Sequence, residues 1–230
     1  MKRSNYRSSI PAKSLEKVEE NFANGSKKSS FFIGNGQKVG FREWNEDGGL
    51  EFEYAIKNEA KHGREYQFYA NGQVLEVTPY RNGILHGTGK QWSHDGWLLI
   101  TYKLIKGVGL DLWCDSESGT LAEEMYWPGV GEPGYKRQWN DDEQTIWQEY
   151  FWVLGKGFHG VWREWNAKGG PRRGFPKFYV AGKVVTKREY LRKRKTDASL
   201  LPYSPAEDEP VRRLPAEYLA QRKQRSKSTK

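Results

Sequence analysis

The chain has 230 residues, a formal net charge of +9 and one cysteine; 36% of its residues are hydrophobic and 14% are aromatic. A single cysteine excludes an intrachain disulfide and a thiolate zinc site, and no stretch approaches the roughly 20 apolar residues of a transmembrane helix. Few aliphatic side chains, many large rings and 25 glycines predict short strands joined by tight turns. Because no apolar run of the kind found in secretory signals follows the charged start, we expect a cytoplasmic protein.

The positive charge is concentrated towards the two ends of the chain. Residues 1–30 hold 7 Lys/Arg and 3 Asp/Glu, residues 31–171 hold 14 and 20, and residues 172–230 hold 17 and 6. This division predicts a mildly acidic body with basic ends, and it argues against a uniformly basic binding face.

The first predicted element lies within the basic N-terminal segment, residues 1–30. Leu15, Val18 and Phe22 fall at helical spacing, and Asn24-Gly25 follows them. The pattern predicts a short amphipathic helix that ends at this turn. Such a helix would cover the open edge of the first hairpin, which otherwise invites pairing with other chains.

A repeat of about 24 residues occupies residues 31–191. Each clear copy has a glycine, a short run ending in an aromatic residue, and a turn dipeptide three and four residues beyond that ring. Weaker copies run through Gly109 and Gly134. The predicted core aromatics are Trp44, Phe68, Trp92, Trp113, Trp139 and Trp165.

The turn dipeptides, chiefly Asp-Gly and Asn-Gly, predict I′-type turns between paired strands. A lone hairpin is marginally stable in water, so consecutive hairpins should pair edge to edge and bury their rings against one another. The repeated glycine indicates a position where no Cβ fits. We therefore predict an all-β fold: an elongated single-sheet array of consecutive antiparallel β-hairpins, with short helices at the N- and C-terminal ends.

Two segments, 82–92 and 154–165, resemble MORN (membrane occupation and recognition nexus) repeats in their run of glycine, His-Gly and an aromatic residue. The closer likeness is to bacterial MORN-variant repeats that are labelled antitoxin-like. Other copies depart from the motif, since Gly63-Arg64-Glu65 lacks its second glycine. The resemblance implies a sheet array used for protein or lipid contact, and it implies no catalytic residues.

The residues that carry most enzyme chemistry do not converge in this pattern. His62, His86 and His159 share one phase of the repeat, so neighbouring copies should lie about 10 Å apart, at ~4.8 Å per strand. That spacing is too wide for a shared zinc. Adjacent acids such as Glu123 and Glu124 should point to opposite faces of a strand. We predict no enzyme activity, no metal and no cofactor.

The C-terminal region combines a last hairpin, turning at Ala181-Gly182, with a helix that starts at residue 187. Thr186 and Glu189 stand at the N-cap and N3 positions of a capping box. Residues 192–230 are predicted to be the end of this helix, a Pro- and acid-rich linker, a second helix after Pro215 and a disordered tail. The candidate anion-binding residues on the first helix are Lys187, Arg188, Arg192, Lys193, Arg194 and Lys195.

Two functions follow as expectations. The first is a non-enzymatic interaction or scaffold protein that binds a protein partner through the repeat sheet, with an antitoxin- or immunity-like role as one version. The alternative is an anion-binding module, for nucleic acid or acidic phospholipid, acting through the basic C-terminal helix. Two plainer interpretations also stay open: a solvated basic surface, and basic residues neutralised by the acidic body. An aromatic cage for sugar or choline is disfavoured, because a single sheet needs its rings as core.

Overall fold

The computed structural model describes residues 6–228, with side chains described up to Lys223. The chain divides into two compact units, Met1–Lys106 and Gly107–Lys230. Both consist of antiparallel strands, most of them paired with their neighbours in sequence, which confirms the predicted all-β array of consecutive hairpins.

The strands of the first unit are β1 Leu15–Asn21, β2 Lys27–Gly34, β3 Gln37–Trp44, β4 Leu50–Lys57, β5 Ala60–Phe68, β6 Val74–Arg81, β7 Ile84–Leu85, β8 Gly87–Trp92 and β9 Leu98–Ile105. The elements of the second unit are β10 Val108–Cys114, β11 Leu121–Trp127, β12 Pro133–Trp139, β13 Ile146–Val153, β14 Gly157–Phe158, β15 Gly160–Glu164, β16 Lys177–Val180, β17 Lys183–Val185, helix α1 Lys187–Arg194, a 3-10 turn Pro205–Asp208 and helix α2 Ala216–Ser228.

The predicted N-terminal capping helix is wrong, because the segment forms strand β1 instead. β1 pairs antiparallel with β2, and Leu15 and Val18 are exposed. Gly25 has φ +83 and donates its N–H to the Phe22 carbonyl. Asn24-Gly25 therefore lies in a hairpin loop, and the hairpin array begins one hairpin earlier than predicted.

The two ends of the hairpins use different turns, which corrects the predicted I′ turns. Within a hairpin the loop usually has three residues: the Asn45 N–H donates to the Gly49 carbonyl, and the Gly48 N–H, at φ +81, donates to the Asn45 carbonyl. This three-residue loop is a type I turn closed by a left-handed glycine. The loops between Asp115 and Thr120 and between Asn140 and Thr145 have four residues. The two-residue turns, which have two consecutive left-handed residues, join one hairpin to the next, as at Asn82-Gly83 (φ 52 and 79).

Strand register shows that one predicted core aromatic is out of phase. The copies that contain Trp44, Phe68, Trp92 and Trp139 have a bulge at the core position, as where Trp44 pairs with Leu50 and Trp139 with Ile146. In the fourth copy the residue at this bulge is Cys114, which pairs with Leu121 and is fully buried. Trp113 is only half-buried and lies on the other face of the strand.

The other predicted core rings lie on the intended face. Trp92, Trp139 and Trp165 are buried, and Trp44 and Phe68 are half-buried. Trp92 and Phe68 belong to a cluster with Tyr66, Val74 and Val77. Rings therefore do supply much of the core, as the composition predicted, because each buries a large area per side chain.

Two repeat glycines show why a Cβ is excluded. A Cβ built at Gly40 would lie 2.5 Å from the Ile10 side chain. At Gly160 it would lie 2.6 Å from the Phe151 Cβ, and the backbone φ of +151 is itself unfavourable for an L side chain. At these two positions close packing of a neighbouring side chain explains the predicted requirement for glycine.

The C-terminal predictions are confirmed for the helices and wrong for the linker. Thr186 Oγ1 accepts the Glu189 backbone N–H at 3.2 Å, so α1 starts where the capping box placed it. α2 begins directly after Pro215. Residues 199–211, however, pack on the second unit, where Ile146 donates to the Pro210 carbonyl at 3.0 Å. Of the predicted disordered tail, residues 229–230 lie outside the described residues, and residues 224–228 continue α2.

Candidate binding surface

The three phase-matched histidines make the same structural contact. Nδ1 of each accepts a backbone N–H from the first residue of the next two-residue turn. The contacts are His62 to Asn82 (3.3 Å), His86 to Lys106 (3.1 Å) and His159 to Ala181 (3.0 Å). A nitrogen that accepts from an amide carries no proton, so the ring protons of His86 and His159 lie on Nε2, whereas Nδ1 of His62 also contacts Asn82 Oδ1 at 3.0 Å. These histidines recur at one position of the repeat because each one holds a two-residue turn through its side chain.

His159 also lies beside a serine and an aspartate, an arrangement that superficially resembles a nucleophilic triad. Its Nε2 is 3.1 Å from Ser199 Oγ, and that hydroxyl donates to Asp197 Oδ1 at 2.5 Å. Because Nε2 carries the proton, His159 donates to the hydroxyl and does not accept from it. A general base must accept the nucleophile's proton, and His159 in this tautomer does not. These hydrogen bonds instead anchor the loop at residues 197–199 to the hairpin.

This anchor predicts a pH dependence of stability. Burial lowers the pKa of His159 below 6.5, with Lys156 adding to the effect, and hydrogen bonds from Ser199 and Lys156 lower the pKa of Asp197 to about 2. The histidine contribution is present above pH 6.5 and is lost below it, since the unfolded chain then binds the proton more readily. The Asp197 contribution is present above pH 3.8 and is lost towards pH 2.

The measurement is the urea midpoint of unfolding between pH 7.5 and 5. We expect the wild-type midpoint to fall over this range and the fall to be smaller in His159→Asn. The asparagine side chain keeps a carbonyl acceptor for the Ala181 N–H but does not titrate. An equal fall in both proteins would contradict the assignment to His159.

A row of alternating charges crosses one face of the second unit. Glu124, Arg137, Glu149 and Arg163 stand directly opposite one another on β11, β12, β13 and β15. Arg137 Nε lies 2.8 Å from Glu149 Oε1, and Arg163 Nη1 lies 3.4 Å from Glu149 Oε2. We call these four residues the charged row. Buried charges persist only when they are paired, and Glu149 and Arg163 are each only 2% exposed.

The C-terminal segment closes over this row. Arg212 bonds both carboxylate oxygens of Glu149, at 3.2 and 3.0 Å. Arg163 in turn bonds Asp208 and Glu207, each at 3.0 Å. Burial alone would raise the pKa of Glu149, but hydrogen bonds from Arg212 and Arg137 hold it below its usual value. The segment therefore completes a charge network that the strands leave unfinished.

The first unit repeats this arrangement with the other end of the chain. Arg42 and Glu53 occupy the register positions of Arg137 and Glu149, and Arg42 Nε lies 2.7 Å from Glu53 Oε2. The Tyr6 hydroxyl donates to the same carboxylate at 2.6 Å. In each unit a terminal segment covers the face that bears the buried Arg–Glu pair.

The opposite face of the second unit carries a continuous set of aromatic rings. Residues adjacent on a strand point to opposite faces, so Tyr150 faces away from Glu149. Ring centroids in this set lie 4.9 to 6.2 Å from their neighbours, and every ring is partly exposed. We call this set the ring platform; its members are Trp127, Tyr150, Trp152, Phe158, Trp162, Phe175 and Tyr179.

The charges around the ring platform are largely paired. Lys136 lies 2.7 Å from Glu123, and Arg172 lies 2.9 Å from Glu164. Asp111 has a pKa raised by burial and accepts the Trp127 indole N–H at 3.4 Å. The platform is thus an apolar surface inside a mixed polar rim.

The candidate anion-binding residues lie on α1, and all six are exposed. Arg192 is 4.0 Å from Glu189, and Lys187 lies 4.1 Å over the Tyr203 ring. The other four, Arg188, Lys193, Arg194 and Lys195, make no ion pair within residues 6–223. The predicted neutralisation by the acidic body is therefore not seen for these four cations.

A scan of the chain against protein-family models gives no match, and a search of curated protein sequences gives none either. Within the described residues, neither helix has the length and apolar character that a membrane span requires.

Proposed function

We propose that the chain is a non-enzymatic interaction protein of MORN-like repeats, whose ring platform docks a protein partner. The observation that carries the proposal is the platform itself: seven adjoining, partly exposed rings on a sheet face whose reverse side is closed by the C-terminal segment. Tyr, Trp and Phe are enriched where protein interfaces gain most of their energy. Occlusion of a toxin's active surface, the antitoxin- or immunity-like version, fits the same geometry.

The test is an affinity purification of tagged full-length protein from its native host, read by mass spectrometry. Trp152→Ser removes a platform ring that contacts Trp127 and Tyr150, whereas Trp147→Ser removes an exposed ring on the same strand outside the platform. We expect a protein that is retained by wild type and by Trp147→Ser to be lost from Trp152→Ser. Circular dichroism checks that both variants are folded. Identical sets from all three proteins would refute platform docking.

A second candidate is anion binding through α1, favoured by the four cations that lack ion pairs. Binding of this kind weakens as salt rises, because each phosphate contact releases counterions. Deletion of the C-terminal region is a poor test, because that region also covers the charged row. Neutralising the four cations to glutamine is cleaner, with neutralisation of four exposed lysines of the first unit as a charge-matched control; these are Lys57, Lys90, Lys103 and Lys106.

The readout is the salt concentration that elutes each protein from immobilised heparin. We expect the α1 variant to elute at clearly lower salt than wild type, and the control variant to elute nearer to wild type. Equal shifts in both variants would mean that only net charge matters, and this would remove α1 as a site.

A further inference from the structure

Five rings of the platform form a row that crosses the strands of the second unit. Trp127 lies on β11, Trp152 and Tyr150 lie on β13, and Tyr179 lies on β16. Ring centroids are 6.1 Å apart from Trp127 to Trp152 and 6.0 Å apart from Trp152 to Tyr150. Phe158 joins Tyr150 to Tyr179, at 5.3 and 5.4 Å. We call these five residues the ring row. From β11 to β16 the row crosses β12, β13 and β15, which at ~4.8 Å per strand gives a length of about 19 Å.

The sheet fixes the ring row in place. β13 pairs with β12 on one edge and with β14 and β15 on the other. The Trp152 ring lies over Gly134 of β12, where an added Cβ would come within 2.7 Å of the ring. Side chains that are held in position before binding lose little conformational entropy when a ligand arrives. The row is therefore a preformed surface for an elongated ligand.

A sheet face offers no backbone hydrogen bonds to a peptide that lies on it. The N–H and C=O groups of β13 already face neighbouring strands on both edges. A peptide N–H that is pressed against the rings would lose water and gain no partner, which costs free energy. Proline has no backbone N–H. A proline-rich segment can therefore lie on the row without this cost.

The polar atoms of the ring row are donors that lack acceptors. Within residues 6–223 the Trp152 indole N–H and the Tyr150 and Tyr179 hydroxyls make no hydrogen bond, and none of the three is fully buried. The acids that border the row are engaged elsewhere, as Glu123 is with Lys136 at 2.7 Å. The row thus presents the positive ends of three polar bonds, and a complementary ligand presents negative ends.

We propose that the ring row binds a proline-rich segment of a protein partner in the polyproline II conformation. The proposal rests on the docking function proposed above and names the chemistry of the partner. The carbonyl oxygens of a polyproline II segment make no internal hydrogen bonds, so they supply the negative ends that the three donors lack. Six residues at ~3.1 Å each span about 19 Å, which is the length of the row. Aromatic-lined surfaces are a general means of recognising such segments.

Other peptide conformations match the ring row less well. An α-helix uses its carbonyls within its own backbone, so the three donors would lose water without gaining an acceptor. An added β-strand pairs with the edge of a sheet and not with its face. Charge complementarity therefore selects the polyproline II segment over a helix or a strand.

The experiment measures fluorescence anisotropy of a fluorescein-labelled peptide of ten prolines, about 31 Å long, titrated with full-length protein. We expect wild type to bind the peptide and Trp152→Ser to bind it about 30-fold more weakly or worse, the loss typical of a hot-spot ring. Trp152→Phe keeps a ring and removes the indole N–H. It should weaken binding by about 2- to 12-fold, the contribution of one hydrogen bond.

Trp147→Ser is the matched control and should bind the peptide like wild type, and circular dichroism checks that each variant is folded. The proposal is overturned if wild type does not bind the proline peptide or if Trp152→Ser binds it equally well. Equal binding by Trp152→Phe also overturns it, because the choice of proline rests on the unpaired donors.

A labelled helical peptide of alanine with a stripe of leucines tests the rival occupant. If it binds as tightly as the proline peptide, and Trp152→Ser abolishes that binding, the proline segment is wrong and platform docking stands. The same holds if the native host yields a partner that Trp152→Ser loses while the proline peptide does not bind. Binding of the proline peptide alone, lost in Trp152→Ser, supports the proposal.

Discussion

Glu149→Ala should lower the free energy of unfolding by about 3 to 5 kcal/mol, the cost of leaving buried charges without their partner. Three arginines, Arg137, Arg163 and Arg212, lie within 3.4 Å of the Glu149 carboxylate. Removal of that carboxylate leaves three adjacent cations that repel one another. The Arg163, Arg212 and Arg137 side chains are only 3%, 12% and 21% exposed, so water screens this repulsion poorly. The measurement is urea unfolding followed by tryptophan fluorescence.

The matched control is Glu123→Ala, on the opposite face of the neighbouring hairpin. Glu123 pairs with Lys136 at 2.7 Å but its side chain is 29% exposed. Ion pairs this close to solvent contribute about 0 to 1 kcal/mol, so the control should lose little. Equal losses from the two substitutions would show that the charged row has no special weight in stability.

Gly160→Ala should lower the free energy of unfolding by about 2 to 5 kcal/mol, since it adds overpacking to a glycine-only backbone conformation. The new methyl would meet the Phe151 Cβ at 2.6 Å, and the backbone φ there is +151. Neither strand can move away easily, because β13 and β15 are paired through Glu149 and Arg163.

Gly129→Ala is the control for this prediction. Gly129 does not have a positive φ, and its nearest neighbour would be the end of the flexible Glu132 side chain at 3.3 Å. A change of well under 1 kcal/mol is expected there, and thermal unfolding of the two variants side by side makes the comparison. A Gly160→Ala protein as stable as Gly129→Ala would mean that the strand relaxes around the methyl group.

The hairpin array was predictable from sequence because its signals are local. Rings, glycines and turn dipeptides lie within two dozen residues of one another, so their recurrence reports the fold directly. The error at Trp113 was avoidable on the same grounds. Gly109 precedes Cys114 by five positions, as Gly134 precedes Trp139, and this glycine-to-core spacing was a better guide than the presence of a tryptophan.

The covering segments were not predictable in this way. Tyr6 meets Glu53 across 47 residues of sequence, and Arg212 meets Glu149 across 63. No periodicity links such positions, and a Pro- and acid-rich composition resembles a linker whether or not it packs. The ring platform was hidden for a related reason: alternation shows which residues share a face, but not which face the chain termini will cover.

The contacts of Tyr6 and Arg212 bear on how this polypeptide tolerates shortening. Most proteins lose a few residues from either end at little cost. Here each end delivers a hydrogen-bond donor to a carboxylate that is shielded from water, so trimming past Tyr6 or Arg212 would remove one of the donors that a buried anion depends on. A nonsense codon shortly before Arg212, or an open reading frame begun downstream of Tyr6, would weaken the hairpins that remain.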